Sequence, residues 1–215
     1  MRTWAIVVAA GAGARFGGPK QLERLGDRRV LDWSVAAARS VAEAVVLVVG
    51  PDHAPYRPEG GGGPDVVVTG GLTRSESVRA GLAAVPAEVD VVVVHDAARP
   101  LAPTCLFEAV VRAVAGGADA AVPGLPVPDT IKAVEAGWVR ATVPRDGLVA
   151  VQTPQAFRAD ALRRAHAGGG EASDDAALVE TGGGRVAVVA GEPLAFKITR
   201  PEDLVLARAL LGEAG

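Results

Sequence analysis

Five short runs of apolar, mostly β-branched residues recur along the chain: "WAIVVAA" (4–10), "AVVLVVG" (44–50), "DVVVT" (65–69), "DVVVVHD" (90–96) and "RVAVVA" (185–190). Polar residues hardly alternate within them, which suits strands covered on both faces of a mostly parallel sheet. Between the runs the period changes. In "TRSESVRAGLAAV" (73–85), Val78, Leu82 and Val85 keep helical spacing, and Thr73 with Glu76 fits a capping box. Segments 30–41, 103–115, 159–167, 174–180 and 201–211 also predict helices, with Pro103 and Pro201 suited to first turns. The alternation predicts a Rossmann-like, doubly wound α/β fold over 1–215 as one domain. "PEGGGGPD" (58–65) and "TGGGR" (181–185) read as surface loops. One segment breaks the pattern: "PDTIKAVEAGWVRATVPR" (128–145) has two β-like halves around "EAGW" and predicts a hairpin. It suits either a surface flap or an arm around a second subunit.

Composition narrows the class. With 49% hydrophobic and 22% charged residues, the chain is globular. A net charge of -3 gives no general basic field, so nucleic acid is not an expected partner. No apolar stretch approaches the roughly 20 residues of a membrane span. The N-terminal apolar run leads directly into charged sequence, so a first strand is expected there rather than a secretory leader. Cys105 is the single cysteine, which excludes an intrachain disulfide, and His53, His95 and His166 are scattered. A cytoplasmic location is the default expectation. Of 22 basic residues only Lys20, Lys132 and Lys197 are lysines.

Chemistry concentrates first in "AAGAGARFGGPKQ" (9–21), the glycine loop after the first run. In a doubly wound fold such a loop sits beyond the carboxyl ends of the strands, where ligands bind. It is not a Walker A loop: Gly13 and Gly18 have the spacing, but Pro19 follows, and Lys20 precedes Gln21 where a hydroxyl is needed. It is not the dinucleotide fingerprint either, since Phe16 stands where the third glycine belongs and Gly50 where an acidic residue is expected. Phosphate binding is still supported, because glycines let backbone amides approach oxyanions and Arg15 and Lys20 add full charges.

Further motifs follow in order: "GGLTRSESV" (70–78), "VHDAARP" (94–100), "DTIK" (129–132), "PRDGLVAVQTPQAF" (144–157), "SDDAALVE" (173–180) and "KITRPEDL" (197–204). With the glycine loop they resemble, over nearly the whole chain, the cytidylyltransferase family that couples CTP to 2-C-methyl-D-erythritol 4-phosphate in non-mevalonate isoprenoid synthesis. All three lysines fall inside these motifs or the loop.

The resemblance implies attack of a phosphomonoester oxygen on the α-phosphorus of CTP, with Mg2+ as cofactor and pyrophosphate released. That nucleophile is already anionic, so cations and positioning, not a general base, carry the catalysis. It implies catalytic roles for Arg15, Lys20, Arg145 and Lys197. Ala9, Ala10, Gly11 and Gly13 would line the nucleotide, and Gly71, Arg74 and Ser77 would surround the cytosine. Asp96, Arg99, Thr130, Arg145, Thr153 and Lys197 would hold the polyol phosphate, and Asp96 could instead hold the metal. The "FGGP" link between Arg15 and Lys20 is shorter than in many relatives. The resemblance also implies a homodimer, with 128–145 as the arm and Arg145 and Thr153 supplied across the interface. The role of Lys132 stays open. Asp174 and Asp175 match a family pair but are also explained by a helix N-terminus. His95 suits a neutral, packed histidine at a strand end. Two rivals remain: a cytidylyltransferase for D-ribitol 5-phosphate, and a nucleotide-binding protein without turnover, although every matched cation is present.

Overall fold

The computed structural model describes residues 1–53, 56 and 62–212. Residues 58–61 of the expected loop 58–65 lie outside them. Strand β1 (Thr3–Ala9) leads through the glycine loop to a small ribbon, β2 (Arg24–Leu25) with β3 (Arg28–Arg29), and helix α1 (Val30–Ala38). Then come β4 (Ala44–Val49), β5 (Val66–Thr69), α2 (Arg74–Ala83), β6 (Val91–Asp96) and α3 (Thr104–Ala115). The second half holds β7 (Ala120–Pro126), the hairpin β8 (Ile131–Glu135) and β9 (Trp138–Val143), β10 (Val149–Val151) and β11 (Gln155–Arg158). It ends with α4 (Ala159–Ala167), α5 (Asp175–Thr181), β12 (Val186–Ala190) and α6 (Pro201–Leu210).

The main sheet runs β10-β7-β11-β6-β1-β4-β5, with β12 paired to β7. β1, β4, β5 and β6 are mutually parallel, and β12 is parallel to β7. β11 is antiparallel to both β6 and β7, so the sheet is mixed and mostly parallel. The chain steps outward from β1 to β4 and β5, then returns to place β6 on the other side of β1. That reversal makes the crevice between β1 and β6 the topological switch point.

The two-residue period divides the valine runs between two cores. Val45, Leu47, Val91 and Val93 face one side, against Leu31 and Val35 of α1 and Phe107 and Val110 of α3. Val46, Val48, Val92 and Val94 face the other, against Val78 and Leu82 of α2 and Leu162 of α4. The same period sorts the last residues of β6. His95 falls on the α3 side, its ring centroid 4.9 Å from that of Phe107. Asp96 falls on the α2 side.

Several expectations shift. β7, as "AAVPGLP", lacks a β-branched run and gave no strand signal. β5 and β12 are valine-rich like β4 yet half-exposed, because they are edges. α1 stops at Ala38 rather than 41, and Pro103 stands at the N-cap of α3, just before its first turn. Thr73 and Glu76 form the expected capping box, with the Thr73 side chain accepting from the Glu76 amide. The hairpin forms as read, pairing apart from the main sheet around Ala136 and Gly137, both at positive φ. It exposes large apolar side chains beside its charged ones: Trp138 is 78% exposed and Val139 61%.

Candidate active site

A cleft of about 300 Å³ opens at the switch point, where β1 and β6 end. Ala9, Ala10, Gly11 and Gly13 form one wall and Gly71, Arg74 and Ser77 another; Arg15, Lys20, Asp96 and Lys197 complete it. Eleven of the residues expected from sequence thus come together from four segments. The glycine loop has a defined path. The amides of Phe16, Gly17 and Gly18 converge on the Gly13 carbonyl, at 2.8 to 3.3 Å. Gly13 has φ +69, and a Cβ there would lie 1.8 Å from the Gly18 carbonyl oxygen, so only glycine fits. Gln21 Nε2 donates to the Gly11 carbonyl at 3.1 Å and pins the loop from behind. The amides of the loop's second half are spent on this turn, which leaves residues 11–15 to face a ligand.

Asp96 is the electrostatic centre. Its Oδ1 accepts from Arg74 Nε at 3.2 Å and its Oδ2 from Lys197 Nζ at 2.6 Å. Burial alone would raise its pKa, but the charges of Arg74 and Lys197 outweigh burial and hold the carboxyl well below the usual range. Arg74 is partly buried; that disfavours its charge, yet Asp96 and Asp175 hold it firmly protonated. Lys197 is delivered by a zipper between loops, in which the Ile198 amide donates to the Ala98 carbonyl at 2.8 Å. Lys20 has its pKa lowered by burial, then by its neighbours Lys197 and Arg15. Among the described residues Arg15 and Lys20 form no ion pair. The cleft therefore presents crowded, uncompensated positive charge, which suits a polyanion.

Four expected residues lie outside the cleft wall. Arg99 is mostly buried beneath it, and its Nη1 donates to the Ala195 carbonyl at 2.6 Å. Burial lowers its pKa, although Asp96 opposes that. Thr130 and Arg145 are exposed at the base of the hairpin, where Arg145 donates to the Pro128 carbonyl. Thr153 corrects the expectation that it reaches across to a partner. Its hydroxyl is buried in its own chain, accepting from the Asp96 amide at 3.0 Å and lying 3.2 Å from His95 Nδ1. It fixes its own Asp96. Lys132 Nζ donates to Thr142 Oγ1 across the hairpin at 2.6 Å, a contact internal to the arm.

Asp96 does not fit a metal cage. Both of its oxygens already accept from cations, and among the described residues no group of three His, Cys, Asp or Glu side chains could hold an ion. Sequence reasoning gave no signal for Gln21, and it left Asp175 as a helix-end acid. Asp174 is that acid: it caps α5 by accepting from the Ala177 amide. Asp175 instead turns inward to Arg74 and His166.

His95 behaves as a neutral core residue. Its Nε2 lies 3.3 Å from the Arg99 carbonyl, which can only accept, so Nε2 carries the proton and Nδ1 accepts from Thr153. Burial lowers its pKa to about 4. Between about pH 6.5 and 4 the unfolded chain binds a proton that the folded chain refuses. Stability from this group is complete above that window and is lost as pH falls through it. Chemical denaturation of wild type and His95→Gln at pH 7 and pH 4 is expected to show their stability difference changing by up to about 3 kcal/mol against the wild type. A difference independent of pH contradicts a neutral buried His95.

Comparison with known proteins follows the same lines. The family model for 2-C-methyl-D-erythritol 4-phosphate cytidylyltransferase matches residues 3–213. A protein of that name from Frankia casuarinae is 48% identical over 98% of this chain and 81% of its own length. One from Streptomyces coelicolor is 46% identical over 98% of this chain and 85% of its own. The crystal structure of the Thermus thermophilus cytidylyltransferase superposes with a TM-score of 0.83 at 43% identity, covering 98% of both chains. The chain belongs to the 2-C-methyl-D-erythritol 4-phosphate cytidylyltransferase family.

Proposed function

We propose that this protein transfers the cytidylyl group of CTP to 2-C-methyl-D-erythritol 4-phosphate, giving 4-diphosphocytidyl-2-C-methyl-D-erythritol and pyrophosphate in non-mevalonate isoprenoid biosynthesis. The observation that carries this reading is the cationic cleft at the switch point, in a chain that matches the family from residue 3 to 213. The phosphomonoester oxygen attacks the α-phosphorus and the bond to the β-phosphate oxygen breaks. No proton needs to be removed from the nucleophile, and His95, neutral and fully buried, is no candidate base. The barrier lies in bringing two polyanions together and in the charge that develops during transfer. Arg15 and Lys20 flank the nucleotide's phosphates. Mutual repulsion among Lys20, Lys197 and Arg15 is relieved when phosphate enters, so the free site is poised for anions. Backbone groups around Gly71 and Ser77 face the base. Magnesium arrives with CTP as part of the substrate, carried chiefly by phosphate oxygens rather than by a protein cage. The comparisons do not favour D-ribitol 5-phosphate as acceptor.

The working unit is a homodimer. The free-standing hairpin with its exposed Trp138, Val134 and Val139 supports this reading, as does the position of Thr130 and Arg145 outside their own cleft. Arg145 then serves the partner's site and orients the acceptor phosphate with Lys197. Among the described residues no helix is long and apolar enough to cross a membrane. We place the enzyme in the cytoplasm.

Pyrophosphate release measured with Mg·CTP is expected with 2-C-methyl-D-erythritol 4-phosphate and not with D-ribitol 5-phosphate; the reverse preference refutes the acceptor assignment. Arg15→Ala and Lys20→Ala should each lower turnover about a hundredfold or more. Near wild-type turnover in either removes its role at the phosphates. Mixing inactive Arg145→Ala with inactive Lys20→Ala should restore activity, since a mixed dimer holds one site with both residues intact. No recovery in dimers shown to be mixed contradicts a shared site.

A further inference from the structure

Behind the cleft, a line of hydrogen bonds runs from Arg74 into the protein. Arg74 Nη1 donates to Asp175 Oδ2 at 2.7 Å, and Asp175 Oδ1 lies 3.0 Å from His166 Nε2. Asp175 opens α5 and is completely buried; His166 sits in the last turn of α4, also buried. Neither lines the cleft. Helix capping does not account for Asp175, because Asp174 performs it. A carboxylate buried beside Ala176 and Val179 is costly unless it is paired, and this one has two partners. With Asp175 ionised, His166 Nε2 is the donor. Among the described residues His166 Nδ1 is buried with no partner, so the ring contributes through Nε2.

The geometry at Asp96 shows what the line does. Arginine and carboxylate favour a two-pronged fork. Arg74 instead meets Asp96 through Nε only: Nη2, which shares that edge, has no hydrogen-bond partner among the described residues, because the bond from Nη1 to Asp175 holds the guanidinium turned short of a fork. That leaves Asp96 Oδ2 to Lys197. Freed from Asp175, Arg74 would close its fork on Asp96 and compete with Lys197 for Oδ2. We propose that Asp175 and His166 are positioning residues for the transfer reaction: His166 occupies one oxygen of Asp175, the other fixes Arg74, and Arg74 so fixed leaves half of Asp96 to hold Lys197 in the cleft. The catalytic consequence rests on the function proposed above; the positioning itself does not.

Two readouts separate the two. Spectra of protein labelled with ¹⁵N at arginine Nε, with the Arg74 signal identified by its loss in Arg74→Lys, report the Arg74 environment in the free enzyme. Asp175→Asn and His166→Leu are expected to shift that signal and speed its exchange with water, whereas His166→Gln, which keeps a donor near Nε2, retains it. Turnover should follow: kcat falls about tenfold to a hundredfold in the first two and stays within about threefold in His166→Gln. KM for CTP should barely move, because the charge of Arg74 remains and only its aim changes. An unchanged Arg74 signal in Asp175→Asn and His166→Leu overturns the proposal. So does a shifted signal with wild-type kcat, or equal losses in His166→Leu and His166→Gln that track melting temperature. A wild-type enzyme that releases no pyrophosphate overturns the functional reading, and the Arg74 signal alone then decides the positioning.

Discussion

The site depends on one carboxylate, Asp96, held between Arg74 and Lys197 at the end of β6. A buried carboxylate is tolerated only with such partners, and partly buried cations need carboxylates in turn. Arg15, Lys20, Arg74, Arg99 and Lys197 gather around the cleft with Asp96 and Asp175 as the buried acids. The cations outnumber the carboxylates around the cleft, and Arg15 and Lys20 form no ion pair among the described residues. Asp96 lets that excess persist in a folded protein and fixes where each cation points.

The fold delivers Asp96 by simple means. Two-residue alternation sends His95 into the core beside Phe107 and Asp96 toward α2. The Thr73 capping box starts α2 where Arg74, its first residue, meets Asp96. Thr153 accepts from the Asp96 amide while donating to His95, so the neutral histidine and the ionised aspartate are fixed by one hydroxyl. The pairing of Ile198 with Ala98 brings Lys197 back from the end of the chain. Each device is local, and together they place groups a hundred residues apart within one hydrogen bond of each other.

Much of this was legible in the sequence. Valine runs marked β1, β4, β5, β6 and β12, and the glycine loop with Arg15 and Lys20 marked the cleft before any geometry. The runs could not separate central strands from edges, since β4 and β5 differ only in what covers them. β7 was silent because its Ala, Pro and Gly residues carry no strand preference; its neighbours make it a strand. Asp174 and Asp175 are adjacent and identical in type, and only their directions separate a cap from a buried anchor. Thr153 was read as a partner's contribution from a motif, which records that a residue matters without recording which subunit uses it.

The most direct test of the central claim compares CTP binding, measured calorimetrically without divalent metal, and turnover in wild type and Asp96→Asn. If Asp96 aims the cations rather than attracts the substrate, removing its charge leaves CTP affinity equal or higher, because positive charge is released, while kcat falls about a hundredfold or more. Affinity and turnover falling together, or turnover surviving the substitution, would contradict the account.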